Sequence, residues 1–68
     1  MPVVTVETWS GRTVEQKRRL VEAITDAMVE HFGSNPDRTH VIIYDVPKEN
    51  WGRSRQLGID LEPEPTEA

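Results

Sequence analysis

The chain begins MPVVTVETWSGRTVEQ, and its first chemically unusual residue is Pro2. A methionine followed by a small residue is normally trimmed in the cell, which leaves Pro2 as a free secondary amine instead of an amide. An unperturbed α-amino group titrates near about 8, and a secondary amine somewhat higher. General base catalysis works best when that value lies close to the operating pH. Desolvation and neighbouring cations both penalise the protonated amine and lower it, and the pyrrolidine ring fixes where the lone pair points. The plain alternative is that proline is simply tolerated at the first position of a strand.

Four other residues have side chains suited to an anionic small molecule. Arg12 stands just before Thr13 at a strand-to-helix junction. Its guanidinium can clamp a carboxylate through two parallel hydrogen bonds, although a loop arginine is usually only solvated. His40 opens the second strand-like run and can donate a hydrogen bond, best when protonated, or it is a structural strand-end histidine. Arg38 lies two residues earlier, on the same face if the strand extends that far. Trp51 sits in a turn, and tryptophan is common at contacts between subunits. Arg53 and Arg55 in WGRSRQLG either extend a cationic pocket or form salt bridges at a subunit contact. Glu7, Glu15 and Glu49 are candidate water-activating carboxylates, but exposed glutamates are usually plain surface.

The elements that must position these residues are legible. Pro2 to Trp9 is rich in β-branched residues and bounded by Ser10-Gly11, which predicts a strand. Thr13-Val14-Glu15-Gln16 matches a capping box. Leu20, Val21, Ile24, Ala27, Met28 and Phe32 then recur at helical spacing, and Gly33 suits a left-handed cap. A helix over about residues 14 to 32 follows. Ser34-Asn35-Pro36-Asp37 predicts a turn with Pro36 at a helical first position. HVIIYDV, His40 to Val46, reads as a buried strand. Pro47 to Gly52 is turn-forming, and Arg53 to Leu61 reads as a short hairpin or edge strand. Strand, helix, strand makes a βαβ unit of the α/β class, with parallel strands and a right-handed crossover. Two strands and one helix cannot cover each other's apolar faces. Two copies are therefore expected to pair into a four-stranded sheet with both helices on one face, leaving the other face for further association.

Composition narrows the classes. Sixty-eight residues make one small domain, expected over 1–60 with 61–68 as an acidic tail. At that size a monomer buries only about 60% of its unfolded surface. There is no cysteine for a disulfide or a thiolate metal site, and two histidines, His31 and His40, are too few and too separated to suggest zinc. Of the twelve acids, four fall in DLEPEPTEA, which leaves eight acids against eight bases. No basic stripe for nucleic acid appears, and no signal-like or membrane-length apolar run. The expectation is a cytoplasmic protein whose partners are copies of itself, with neither nucleic acid nor membrane among them.

Taken together, Pro2, the segment Gly11-Arg12-Thr13-Val14-Glu15-Gln16-Lys17, the strand HVIIYDV and the turn Asn50-Trp51-Gly52 resemble the 4-oxalocrotonate tautomerase family. The match spans nearly the whole chain except the acidic tail, and its specificity lies in the combination. The resemblance implies a β-α-β protomer, dimers assembled as a trimer of dimers into a homohexamer, and active sites built from neighbouring subunits. It implies an isomerase that interconverts enol or dienol and keto forms of a 2-oxo acid such as 2-hydroxymuconate, with Pro2 as general acid and base. Under it, the residue matching Arg12 binds a substrate carboxylate and the one matching Trp51 is an apolar wall that keeps the site dry. No metal or organic cofactor is implied, because the proton shuttle uses only the amine and positioned cations.

The sequence departs from this pattern twice. Where the type enzyme has an arginine that binds the other carboxylate and draws electrons toward the carbonyl, this chain has His40. Either His40 or Arg38 is left to stabilise that charge. Many members are also glycine-rich where this chain has Arg53 and Arg55. Two rival readings remain: a hydratase or dehalogenase that adds water to an unsaturated acid, which needs a carboxylate beside Pro2, and a non-catalytic oligomeric binding module.

Overall fold

The computed structural model describes residues 2–61; Met1 and residues 62–68, which hold most of the expected acidic tail, lie outside the described residues. Helix α1 (Val14–Phe32) is set at both ends by local chemistry. The Gln16 N–H donates to the Thr13 hydroxyl over 3.1 Å, and the Thr13 N–H donates to the Gln16 side-chain oxygen over 2.9 Å. That reciprocal pair satisfies two amides the helix start would otherwise leave without partners. At the other end Gly33 adopts φ 73°, a left-handed conformation that a Cβ would resist.

Strands β1 (Val3–Trp9) and β2 (His40–Val46) pair in parallel, from Val3 beside His40 to Trp9 beside Val46, with α1 as the crossover. Between helix and strand, Asn35 caps a 3-10 turn, Pro36–Arg38, by accepting from the Asp37 N–H over 2.8 Å. The turn decides where Arg38 lies relative to β2. The strand starts at His40 and does not extend to Arg38, because Arg38 is held in that turn.

Side chains alternate across the two-stranded sheet. Val4, Val6 and Thr8 with Val41 and Ile43 are half-buried on the helix side, where an ion pair joins Lys17 of α1 to Asp45 of β2. The opposite face carries Val3, Thr5 and Glu7 against His40, Ile42 and Tyr44. It is open: Val3 is 55% exposed, Ile42 42% and Tyr44 51%. The helical stripe is only partly covered, with Ile24 and Met28 half-buried and Leu20, Val21, Ala27 and Phe32 exposed. Among the described residues no hydrophobic side chain is fully buried. Two strands are too narrow to roof the apolar arc of a five-turn helix. No described helix is long and apolar enough to cross a membrane.

After β2 the chain makes a 3-10 turn, Lys48–Asn50, and then a hairpin of β3 (Gly52–Arg53) and β4 (Gln56–Leu57). Its two-residue loop places Ser54 at φ 54° and Arg55 at φ 68°. Two positive φ values fit the twist of a tight hairpin, but glycine or asparagine usually occupies such positions. The turn 3-10 Gly58–Asp60 then packs back on the first one. The Gly58 N–H donates to the Trp51 carbonyl over 2.7 Å, and a Cβ on Gly58 would lie 2.8 Å from the Lys48 carbonyl oxygen. Gly58→Ala is therefore expected to destabilise the protein by about 1–3 kcal/mol, as overpacking does. A thermal melt reads that as a loss of several degrees, and an unchanged midpoint would contradict the close approach.

Candidate active site

Parallel pairing gathers the starts of both strands at one edge of the sheet. There the Pro2 carbonyl accepts the His40 N–H over 3.0 Å, extending the ladder by one bond. Pro2 is half-buried, His40 is exposed at the head of the open face, and exposed Arg38 lies in the turn just before it. The proline and both candidates for the second cationic role thus share one edge.

Arg12 and Trp51 occupy the opposite edge. The Ser10 N–H donates to the Val46 carbonyl over 3.1 Å where the strands end, and half-buried Arg12 follows before the Thr13 cap. Trp51, also half-buried, meets Trp9 edge to face, with ring centroids 6.2 Å apart and an interplanar angle of 81°. This is a favoured arrangement for two aromatic rings. The Lys48 ammonium lies 4.7 Å from the centroid of the Trp9 ring, within the range of a cation–π contact. Trp9 and Lys48 were legible in the sequence only as a strand residue and a turn residue. The sequence carried no signal for the pair, which follows from the register that sets Trp9 beside Val46, the residue from which the turn to Trp51 departs.

At about 3.3 Å per residue, the seven residues of β1 separate the two edges by roughly 20 Å. Within one protomer the candidate residues therefore form two clusters, not one. The three carboxylates considered as water activators do not join Pro2 either. Glu7 points from mid-β1, Glu15 pairs with Arg18 and Arg19 on α1 at 3.4 and 3.9 Å, and Glu49 belongs to the turn at the far edge. Among the described residues no group of three or more histidines and carboxylates could hold a metal ion.

A protein-family model described as "Tautomerase enzyme" matches residues 2–56. The chain belongs to the tautomerase family. This tautomerase is similar to 2-hydroxymuconate tautomerase of Comamonas testosteroni, 44% identical over 52 residues that cover 76% of this chain and 82% of the relative. Among solved structures it is similar to the 4-oxalocrotonate tautomerase isozymes of Methylibium petroleiphilum, with 41% identity, a TM-score of 0.80, and coverage of 85% of this chain and 94% of that one. It is also similar to a heterohexamer 4-oxalocrotonate tautomerase of Chloroflexus aurantiacus, with 26% identity, a TM-score of 0.83, and coverage of 91% and 100%. The resemblance read from the sequence is thereby confirmed, and the chain is a tautomerase-like isomerase.

Proposed function

We propose that this tautomerase interconverts enol or dienol and keto forms of a 2-oxo acid such as 2-hydroxymuconate, with Pro2 as general base and acid once Met1 is removed. The observation that carries the proposal is Pro2 at the head of β1, half-buried and tied through its carbonyl to His40, inside the family match. The neutral amine takes the proton of the substrate's enol hydroxyl as the carbonyl forms. The prolyl ammonium then returns a proton to the conjugated carbon, which leaves the amine neutral again.

The distance between the edges supports a sharing of the remaining roles across copies. Arg12 and Trp51 lie too far from Pro2 of their own chain, so they serve Pro2 of a neighbouring protomer in a homo-oligomer, a hexamer built as a trimer of dimers. Arg12 holds a substrate carboxylate, and Trp51 excludes water, which strengthens every charge interaction inside. His40 or Arg38, at the Pro2 edge, stabilises charge developing on the carbonyl oxygen. Cations around the amine lower its pKa toward the operating range. No metal or organic cofactor enters this scheme. The working unit is one domain over 1–60, acting in the cytoplasm.

The hydratase reading needs a carboxylate at Pro2; none of Glu7, Glu15 and Glu49 stands at the Pro2 edge of the protomer, so a neighbouring copy would have to supply it, as it supplies Arg12 and Trp51. The test is an ultraviolet assay of 2-hydroxymuconate and phenylenolpyruvate ketonisation, run beside an intact mass. Turnover by a chain lacking one methionine is expected. Absence of turnover, or full activity with Met1 retained, overturns the proposal.

A further inference from the structure

The bases on α1 differ in their partners from those that follow β2. Those on α1 are paired with carboxylates: Lys17 with Asp45, and Arg18 and Arg19 with Glu15. At the edge that carries Trp9 and Trp51, Lys48, Arg53 and Arg55 meet no carboxylate among the described residues, although the chain as a whole is acidic. These unpaired cations are not on a loose loop. The Gly58 N–H to the Trp51 carbonyl, and the contact of Gly58 with the Lys48 carbonyl, lock the turn and the hairpin into one unit. Arg53 lies two residues from Trp51 in extended chain, so both belong to one side of it. The hairpin tip holds Ser54 and Arg55 at positive φ, a conformation that non-glycine residues keep only when something else requires the hairpin's shape.

We propose that Arg53 and Lys48 complete, with Arg12, a subsite for the substrate carboxylate remote from the reacting enol, and so set a preference for dicarboxylic over aryl-substituted enol acids. The inference rests on the tautomerase reading above. Its chemistry is simple: the Trp9–Trp51 pair gives an apolar surface for the conjugated body, and cations at the same edge take the far anion. Arg53 offers a two-pronged carboxylate contact, while Lys48 supplies a point charge held over Trp9. Among the described residues Arg53 and Arg55 meet no carboxylate of their own chain, which leaves Arg53 available to an anionic ligand at this edge or to a carboxylate of a neighbouring copy.

The experiment compares wild type, Arg53→Gln, Arg53→Lys and Lys48→Gln, each checked by sedimentation for unchanged assembly. The expected result is a fall of about tenfold or more in the ratio of kcat/KM for 2-hydroxymuconate to that for phenylenolpyruvate in Arg53→Gln, since a hydrogen bond to a charged group is lost. Arg53→Lys is expected to recover part of the ratio, and Lys48→Gln to lower it without touching the hairpin. An unchanged ratio, or equal loss on both substrates, overturns the proposal. If Arg53→Gln fails to assemble, Lys48→Gln decides by the same criterion. Binding of adipate, a dicarboxylate that cannot tautomerise, is measured in parallel by calorimetry. It is expected to weaken about tenfold in Arg53→Gln, and equal affinity overturns the subsite even if wild type shows no turnover, which would count against the Pro2 mechanism alone.

Discussion

Pro2→Ala is expected to lower kcat for ketonisation by about 10²-fold or more, within the range for a positioned acid–base group. Alanine still leaves a basic amine at the terminus, so the loss comes from geometry more than from basicity. The pyrrolidine ring holds one lone-pair direction, and the His40 N–H to the Pro2 carbonyl holds the ring at the sheet edge. A primary amine rotates about its bond to Cα and presents that lone pair only part of the time. In wild type, kcat/KM should rise with pH through the prolyl amine's own pKa, because the protonated amine cannot accept a proton. An ultraviolet assay with both proteins, and an intact mass showing that each has lost Met1, makes the comparison. Equal rates would end the proline mechanism.

The second large effect is on assembly. Ile42→Glu puts a carboxylate in the middle of the open sheet face, between Val3 and Tyr44 and beside Thr5. That face has no cover in the protomer, and the chain has no buried hydrophobic core among its described residues to stand alone on. If the face is buried between copies, the substitution removes the transfer of an isoleucine from water, about 1.5–3 kcal/mol per copy. It also forces a charge into the contact, at several kcal/mol more. Sedimentation should show a smaller species, with activity lost in parallel if each site takes groups from two chains as proposed. A variant of unchanged mass and unchanged activity would mean that the face is not an interface.

How much of this was legible in the sequence depends on the range of the interactions involved. Both ends of α1 rest on contacts three to five residues apart, the Thr13–Gln16 pair and the Gly33 cap. Local pattern therefore carried the bounds from Val14 to Phe32. The strands came from β-branched runs, and Arg53 to Leu61 reads as a short hairpin or edge strand, of which the hairpin formed, starting at Gly52. The sequence leaves open whether the strand reaches back to Arg38; the Asn35 cap, which holds Arg38 in a 3-10 turn, competes with strand extension and wins. The pairing of Trp9 with Trp51 was not legible, because only the parallel register brings those two strand ends together. The division of the site is a fact of topology, not of composition. Pro2 and Arg12 are close in sequence, yet a strand lies between them and sets them at opposite edges.

That division has a consequence for mixtures of good and bad chains. In the proposed assembly, with the base at one edge and the clamp at the other, every chain would belong to two sites, lending its proline to one and its arginine to the next. A misfolded or doubly defective copy therefore spoils two centres, not one. When a fraction f of the chains is defective and copies mix at random, intact sites decline as (1 − f)². Damage to this protein is expected to be felt out of proportion to its dose.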